Sequence, residues 1–335
     1  MKRAGSDLKL PSSLYLETTS RCNLKCKGCI QHRGSWETPR DLSLRELISI
    51  CDQLPVIGRV ALHGIGEPLL NAALPDMVRY LRGRNAYVFF NSNGILLDPD
   101  RRDQLIEAGL NELRISLDAA SPEGYTAVRG SDQFARICRN VRAFSARIRS
   151  LNASGPKLSI WFLGTSENIS ELPGMVRLAA AMDVREVYLQ RLVYFQDHEG
   201  YGLARPEKTI RDSDLRVTEL IQESARIARD AGVQVNASGC GDPLASLQTD
   251  ANCATPWKRC YRPTTLMYIT AAGNVLPCCI APFATCDYDS IVLGNAFESS
   301  LAEIWHGPRY RHFRERHQSQ QPPKSCKGCG LLWSL

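Results

Sequence analysis

The chain has 335 residues and 44% of them are hydrophobic, which is enough to bury the cores of one large domain and one small one. Its opening segment has no apolar stretch of the signal-peptide type, and no later stretch approaches the roughly 18 to 20 apolar residues of a bilayer span. We therefore expect a cytoplasmic protein with no membrane partner. The net charge of +6 comes from basic residues spread along the chain, so a nucleic-acid partner is not indicated.

Strand and helix patterns alternate in the first two thirds of the chain. Apolar runs with strand character lie at residues 14–19, 59–63, 86–91, 112–117, 158–163 and 186–193. Helical patterns lie between them at 43–54, 74–82, 99–108, 133–149 and 172–182, and a long helix at 212–231 follows. This order predicts an α/β fold with a parallel sheet and right-handed crossovers. Six units are too few for an eight-unit barrel, so either a partial (β/α)6 barrel or a doubly wound sheet fits the pattern.

The composition changes after about residue 235, where the chain becomes rich in Cys, Gly and Pro. We therefore expect two domains, at residues 1–235 and 236–335. In the second domain, the Ala-Gly-Asn segment at 272–274 predicts a hairpin turn, and residues 300–306 and 308–318 have helical patterns.

The 13 cysteines are the strongest compositional signal. A reducing cytosol disfavours structural disulfides, so a cysteine-rich pattern there indicates metal binding or catalysis. Cys51 and Cys138 stand singly within predicted helices, where a buried and inert thiol is expected. The other cysteines cluster near the two ends of the chain.

Three cysteines, Cys22, Cys26 and Cys29, follow the first predicted strand in a C-x3-C-x2-C pattern. Three thiolates on one short loop can bind three irons of a [4Fe-4S] cube and leave the fourth iron open to another ligand. A closed electron-transfer cluster would need a fourth cysteine nearby, and the next one lies in a predicted helix. A zinc site is the alternative, with His32 as the one candidate for a fourth ligand.

This cysteine spacing resembles the hallmark of the radical S-adenosylmethionine (SAM) superfamily, and the resemblance extends over nearly the whole chain. It implies a partial barrel in which Cys22, Cys26 and Cys29 hold a [4Fe-4S] cluster that binds SAM, so these three are the predicted catalytic residues. It also implies that an electron from the cluster cleaves SAM to methionine and a 5′-deoxyadenosyl radical, which abstracts a hydrogen atom from the substrate.

The end of the second predicted strand, at residues 64–68, reads Gly-Ile-Gly-Glu-Pro and resembles the family's Gly-Gly-Glu-Pro motif, which holds the amino group of SAM. Ile65 replaces the first glycine of that motif, so Gly66, Glu67 and Pro68 carry the match. A carboxylate beside the cysteine loop is a natural partner for a cation. We therefore predict that Glu67 binds the SAM ammonium group.

Two further strand ends resemble SAM-binding segments of the family. Asn93 belongs to a segment similar to the family's Thr-Asn-Gly, and Ser116 and Asp118 belong to one similar to the segment that contacts the ribose and carboxylate of SAM. All of these segments lie at the carboxyl ends of predicted strands, where barrels and open parallel sheets assemble their active sites.

One position departs from the family pattern. Many members have an aromatic residue just before the third cysteine, where it packs on adenine, and this chain has Gly28 there. Gln190 and Arg191, at the end of the sixth strand, are the candidates that could compensate; an ordinary exposed strand end is the equal alternative.

A second cysteine set lies in the C-terminal part of the chain. Cys260 is followed by Gly273 and then by Cys278, and a C-x2-C pair, Cys326 and Cys329, comes near the end. Four thiolates can close a cluster with no open iron, and the spacing resembles the SPASM and Twitch extensions of the family. The chain stops soon after Cys329, so we expect the shorter Twitch type with one auxiliary [4Fe-4S] cluster. A zinc ribbon is the alternative.

Four cysteines near this region match no ligand set, namely Cys240, Cys253, Cys279 and Cys286. A second small cluster is conceivable, and one of the four could donate a hydrogen atom, as cysteines do in family epimerases.

The predicted reaction follows from the second cluster. A fully ligated cluster cannot bind substrate, so it would accept or relay an electron, which favours dehydrogenation. The cluster spacing resembles that of 2-deoxy-scyllo-inosamine dehydrogenase-type Twitch enzymes, and the first strand begins too early to leave room for a peptide-recognition domain. We therefore predict a small polar substrate of the sugar or aminocyclitol kind and an electron donor such as flavodoxin or ferredoxin. The alternatives are a radical epimerase or redox-neutral elimination, a peptide maturase, and transfer of a SAM-derived group.

Overall fold

The computed structural model describes residues 8–32, 37–151, 155–195, 198–200, 202–211, 214–238, 242–247, 255–327 and 329. In these residues the strands are β1 (Ser13–Leu16), β2 (Arg59–Ala61), β3 (Tyr87–Ser92), β4 (Glu112–Ser116), β5 (Lys157–Gly164), β6 (Glu186–Arg191), β7 (Gln234–Ala237), β8 (Leu266–Ile269), β9 (Asn274–Leu276) and β10 (Gly294–Asn295). The α-helices are α1 (Leu44–Cys51), α2 (Leu74–Gly83), α3 (Pro99–Glu107), α4 (Pro122–Arg129), α5 (Phe134–Ser150), α6 (Leu172–Ala181), α7 (Leu215–Ala231), α8 (Arg262–Thr265), α9 (Ala281–Ala284), α10 (Leu301–His306), α11 (Pro308–His317) and α12 (Lys324–Lys327).

All described strands belong to one sheet, in the order β10-β9-β8-β1-β2-β3-β4-β5-β6-β7. Strands β1 to β7 run parallel in chain order, and the sheet does not close on itself. The predicted α/β fold with an open parallel sheet is therefore confirmed. Strand β7 and helix α4 add to the predicted elements, while the long closing helix α7 appears where it was expected.

The termini of helix α4 show why the chain folds locally as it does. Ser121 caps the helix by accepting a hydrogen bond from the Gly124 amide, Pro122 occupies the first turn, and Gly130 ends the helix in the left-handed region at φ +66°. These are standard start and stop signals. The capping matters because it places Arg129, in the last turn, beside the cysteine loop.

The C-terminal region extends the sheet that strands β1 to β7 form. Strand β8 pairs with β1 in parallel register, and β8 and β9 form the expected antiparallel hairpin. Gly273 closes its turn at φ +87°, a conformation in which a side chain would also lie 2.6 Å from the ring of Phe297. The expected domain boundary after residue 235 falls within β7, and the division into two domains stays a prediction.

The helices that flank the sheet contribute further buried residues to the core. Cys51 and Cys138 are buried free thiols within α1 and α5, as expected. The predicted C-terminal helices appear as α10 and α11, and the guanidinium of Arg314 stacks on the rings of Trp305 and Tyr310 at 3.9 Å each. No helix in the described part of the chain is long and apolar enough to cross a membrane.

Candidate active site

A cavity of about 430 Å³ opens at the carboxyl ends of the parallel strands. Its wall includes most of the side chains that the sequence predicted for the site; these are Cys22, Cys26, Cys29, Gly66, Glu67, Asn93, Ser116, Asp118 and Gln190. The parallel sheet brings them together because each follows the end of its own strand. Pro68 and Arg191 do not line the cavity.

The cysteine loop presents three free thiols to this cavity. Burial raises the pKa of Cys22 to about 11, and the neighbouring Cys29 and Cys26 also raise it. Two N–H donors are in place to stabilise thiolates: the Leu24 amide lies 3.5 Å from the Cys22 sulfur, and Arg129 Nη1 lies 3.5 Å from the Cys26 sulfur. This donor set fits a cluster held at three corners, with the cavity on its open side.

The loop after β2 lies directly against the chain that leads into the cysteine loop. A Cβ at Gly66 would lie 2.1 Å from the carbonyl oxygen of Thr19 and 2.6 Å from that of Arg21, so only glycine fits there. The Glu67 amide donates to the same Arg21 carbonyl at 2.8 Å. Pro68 begins a 3-10 helix, so its part in the motif is to direct the backbone away from the cavity.

The Glu67 carboxylate is buried and already accepts three hydrogen bonds. Oε1 accepts from the Ser92 hydroxyl at 2.8 Å and from the Leu69 amide at 3.1 Å, while Oε2 accepts from the Asn93 amide at 2.7 Å. Burial raises the pKa of Glu67, and these donors oppose the rise. Because a carboxylate has about four acceptor positions, one position on Oε2 remains for a cation.

Asn93 connects the end of β3 to the cysteine loop. Its Nδ2 donates to Asn23 Oδ1 at 2.8 Å, and its Oδ1 accepts from the Ile95 amide at 3.0 Å. The side chain is therefore engaged in holding the two loops together, beside Glu67 and at the edge of the cavity.

Asp118 forms a buried ion pair that sequence reasoning missed. Its Oδ2 lies 2.5 Å from Arg129 Nη2, and its Oδ1 accepts from the Leu163 amide at 2.8 Å. Burial alone would lower the pKa of Arg129, but Asp118 and Cys26 outweigh it and raise the pKa. Arg129 therefore stays charged between a carboxylate and a predicted cluster ligand. The capping signals around α4 would have revealed its helix, although not its partners.

The two candidates at the end of β6 point in opposite directions, as successive strand residues do. Gln190 lines the cavity, whereas Arg191 is buried on the other side and its guanidinium donates to the carbonyl of Ser246. Only Gln190 is brought to the site. At Gly28, where the family aromatic is missing, a Cβ would lie 3.2 Å from that of Leu203, so Leu203 occupies the neighbouring space.

An aromatic and basic wall, which the sequence analysis did not predict, completes the cavity. Trp161 stacks on Tyr188 with ring centres 4.1 Å apart, and the guanidinium of Arg114 lies 4.2 Å from the Trp161 ring. Burial, Arg114 and Arg59 lower the pKa of His63 to about 3, so its imidazole is neutral. All of these but Arg59 line the cavity.

The four predicted auxiliary ligands lie close to one another. Burial raises the pKa of Cys278, and Cys260, Cys326 and Cys329 are among the thiols whose charge raises it further. The pKa of Cys326 rises to about 12 for the same reasons, with Cys329 and Cys260 as its charged neighbours. Clustered thiols of this kind favour a bound metal centre, which takes up their charge as thiolates.

Of the unassigned cysteines, Cys279 lies in the wall of the main cavity. Burial raises its pKa, while Arg262 and a hydrogen bond from the Tyr15 hydroxyl lower it. Cys286 is partly buried and does not line that cavity. Cys240 and Cys253 lie outside the described residues, as does the side chain of His32.

Zinc and an iron-sulfur cluster differ in the ligand spacing that they require. Among the described side chains, no group of three or more His, Cys, Asp and Glu is arranged to hold a single metal ion. Zinc needs its sulfur ligands at about 2.3 Å from one point, whereas an iron-sulfur cube distributes its ligands over separate irons.

Comparison with known proteins assigns the two regions. Residues 16–179 match the model of the radical SAM superfamily, and residues 260–330 match the model of SPASM, an iron-sulfur cluster-binding domain. The first match contains the three cysteines of the first loop, and the second contains all four auxiliary cysteines.

Relatives align along most of the chain. A tungsten-containing aldehyde ferredoxin oxidoreductase cofactor-modifying protein of Pyrococcus furiosus is 24% identical over 95% of this chain and 87% of its own. A PqqA peptide cyclase of Granulibacter bethesdensis is 24% identical over 98% of this chain and 83% of its own. SuiB of Streptococcus suis, solved with bound S-adenosylmethionine, has the same fold, with a TM-score of 0.68 at 19% identity over 97% of this chain and 72% of that chain.

These matches confirm the predicted family, the predicted cofactors and the enzymatic character of the protein. The chain belongs to the radical SAM superfamily: it is an enzyme of S-adenosylmethionine and a [4Fe-4S] cluster, with auxiliary iron-sulfur binding in a SPASM domain.

Proposed function

We propose that this enzyme carries out radical modification of a peptide or protein substrate. The observation that carries the proposal is the alignment with PqqA peptide cyclases, which runs through both cysteine regions over 98% of this chain. A second relative of that name, from Xanthomonas campestris, is 27% identical over 95% of the chain. These relatives favour the peptide alternative over the small polar substrate that the sequence alone suggested.

Within the site, we assign the first cluster to Cys22, Cys26 and Cys29 and the amino group of SAM to Glu67. The support is positional, because the remaining acceptor position of Glu67 lies among the strand ends that also hold the cysteine loop. Ser116, Asn93 and Gln190 are proposed to contact the rest of SAM, since they share the cavity wall.

The cavity lies between the two cysteine regions, since its wall includes both the first cysteine loop and Cys279. A substrate there would be near SAM on one side and near the auxiliary site on the other. Hydrogen abstraction leaves a substrate radical. Loss of one further electron to the auxiliary cluster and of one proton to solvent would complete a two-electron oxidation, so we favour an oxidative modification. An acidic flavodoxin or ferredoxin is the proposed electron donor, which suits the net positive charge.

Anaerobic incubation with SAM and two probes would test this proposal. The probes are the PqqA peptide of a relative and 2-deoxy-scyllo-inosamine, and deoxyadenosine formation is measured with each. We expect the peptide alone to raise deoxyadenosine formation above the substrate-free rate and to lose two mass units. If the inosamine is oxidised and raises deoxyadenosine formation while the peptide has no effect, the hypothesis of a small polar substrate is supported instead.

A further inference from the structure

Glu17 is a buried carboxylate that none of the assigned roles uses. It follows β1 directly and is only 1% exposed. Burying an ionisable group without strong partners is costly, so a carboxylate in this position has to be held by specific donors. Those donors come from two different regions of the molecule.

One donor belongs to the loop after β2, residues 64–68, here called the β2 loop. Glu17 Oε1 accepts from the Ile65 amide at 2.7 Å. The carboxylate also rests against the backbone of the same loop, because a Cβ at Gly64 would lie 2.7 Å from Glu17 Cδ. The β2 loop therefore cannot shift toward β1 while Glu17 is in place. This loop also carries Gly66 and Glu67.

The other donor belongs to the cluster hairpin, defined as β8, β9 and their turn at residues 266–276. Glu17 Oε2 accepts from the Ala271 amide at 3.3 Å. The hairpin leads directly to Cys278, one of the four auxiliary cysteines. Its β8 strand also carries Tyr268, whose buried hydroxyl has no hydrogen-bond partner among the described residues and lies beside Gly64.

We propose that Glu17 is a positioning residue that couples the β2 loop to the cluster hairpin, so that SAM binding at the first cluster stabilises the hairpin of the auxiliary site. The inference rests on the proposed function only in assigning SAM to the β2 loop. By linkage, the coupling acts in both directions: a well-ordered hairpin also improves SAM binding. One oxygen of the Glu17 carboxylate accepts from the β2 loop and the other accepts from the cluster hairpin, so the coupling passes through a single side chain.

The electrostatics agree with such a role. Burial raises the pKa of Glu17 to about 7 despite the donors from Ile65 and Ala271, and the nearby Glu37 raises it further. A carboxylate that is costly to keep ionised depends strongly on its donors. Loss of either donor would therefore weaken the hold on the other.

The test uses Glu17→Gln in the anaerobically reconstituted enzyme, with two readouts other than turnover. These are SAM affinity by equilibrium dialysis and hydrogen exchange of residues 266–276 with and without SAM. We expect the wild-type hairpin to gain protection when SAM binds. The Gln side chain has one oxygen and an NH2 group, so it can accept from only one of the Ile65 and Ala271 amides. SAM affinity should therefore fall by about tenfold, and the SAM-dependent gain in hairpin protection should vanish.

Glu37→Gln is the matched control. Glu37 holds the same hairpin by accepting from Thr270 Oγ1 at 2.8 Å and Asn274 Nδ2 at 2.7 Å, and neither partner belongs to the β2 loop. This variant should loosen the hairpin in all states but retain its SAM-dependent gain in protection. SAM affinity should fall less than in Glu17→Gln, because both hydrogen bonds of the Glu17 carboxylate stay in place.

Ala271→Pro removes the hairpin donor while leaving the carboxylate intact. Residue 271 is the second residue of a turn closed by the Gly273 amide and the Thr270 carbonyl at 2.9 Å, a position that favours proline. Ala271→Pro should lose the SAM-dependent protection of the hairpin, as Glu17→Gln does. If Glu17→Gln fails to fold, Ala271→Pro tests the coupling in its place. If Glu17→Gln or Ala271→Pro behaves as wild type in both readouts, the coupling is overturned. Reduced SAM affinity in these variants with the SAM-dependent protection of the hairpin retained also overturns it. A wild type that binds no SAM would instead refute the proposed function.

Discussion

The first cysteine loop and the auxiliary site both bring cysteine ligands together, but they draw them from different numbers of chain segments. Cys22, Cys26 and Cys29 come from one loop, which is held by neighbouring strand ends through contacts such as that of Asn23 with Asn93. The four auxiliary cysteines come from three separate segments of the C-terminal region. The first site is thus supported by the parallel sheet whether or not a cluster is bound, whereas the second requires three segments that lie far apart in the sequence to come together.

This difference predicts that the two clusters fail in different ways. Loss of the first should abolish chemistry and leave the fold, and loss of the second should affect the fold as well. The experiments below test that contrast, beginning with the largest expected effect.

Replacing Cys22, Cys26 and Cys29 together by Ala should abolish deoxyadenosine formation, because SAM then has no cluster to bind. Iron in the reconstituted protein should fall from about eight to about four per chain. Cys138→Ala is the control, since it removes a thiol that is buried in α5 away from both sites. Deoxyadenosine formation by the triple variant at the wild-type rate would refute the ligand assignment.

Cys329→Ala should lower both the iron content and the thermal stability, because the last auxiliary ligand closes a site assembled from distant segments. The melting temperature of the triple variant at the first loop should change much less. Metal analysis and thermal unfolding under anaerobic conditions measure both effects. About four irons with one zinc in the wild type would show a zinc-bound domain and would remove the proposed electron acceptor.

Arg129→Met should destabilise the fold by about 3–5 kcal/mol, because it leaves the buried Asp118 carboxylate without its partner. Urea unfolding of the apoprotein measures this effect without interference from clusters. The double variant with Asp118→Asn should recover part of the loss. If the single variant is as stable as wild type, the pair does not support the first loop in the way described.

Glu67→Gln should weaken SAM binding by about tenfold while leaving iron near its normal content. In the isosteric variant the amide oxygen can keep the bonds from Ser92 and Leu69, but the amide NH2 cannot accept from the Asn93 backbone amide. The loss of SAM affinity therefore reports the missing charge together with that one hydrogen bond. Unchanged SAM affinity would contradict the proposed contact with the ammonium group.

The sequence predicted the parts of this site that depend on local spacing. The cysteine loop, the strand ends at Glu67 and Ser116, and the hairpin turn at Gly273 all follow from short motifs with a clear physical reason. The pattern could not predict contacts between distant segments, such as Arg129 with Asp118 or Glu17 with Ala271. Arg191 shows a second limit of sequence-based prediction. Its strand was predicted correctly, but the alternation of side chains along β6 directs its guanidinium toward Ser246 and away from the cavity.

The pairing of β8 with β1 has a consequence for any attempt to study the first 235 residues alone. Ending the chain at residue 235 would remove β8 and leave the backbone groups of β1, from Ser13 to Leu16, without the partners they now have along one side. An uncovered, apolar strand of this kind is a template for intermolecular pairing. We expect the isolated fragment to self-associate through β1, so the auxiliary region also acts as the protective cover that keeps the enzyme from aggregating.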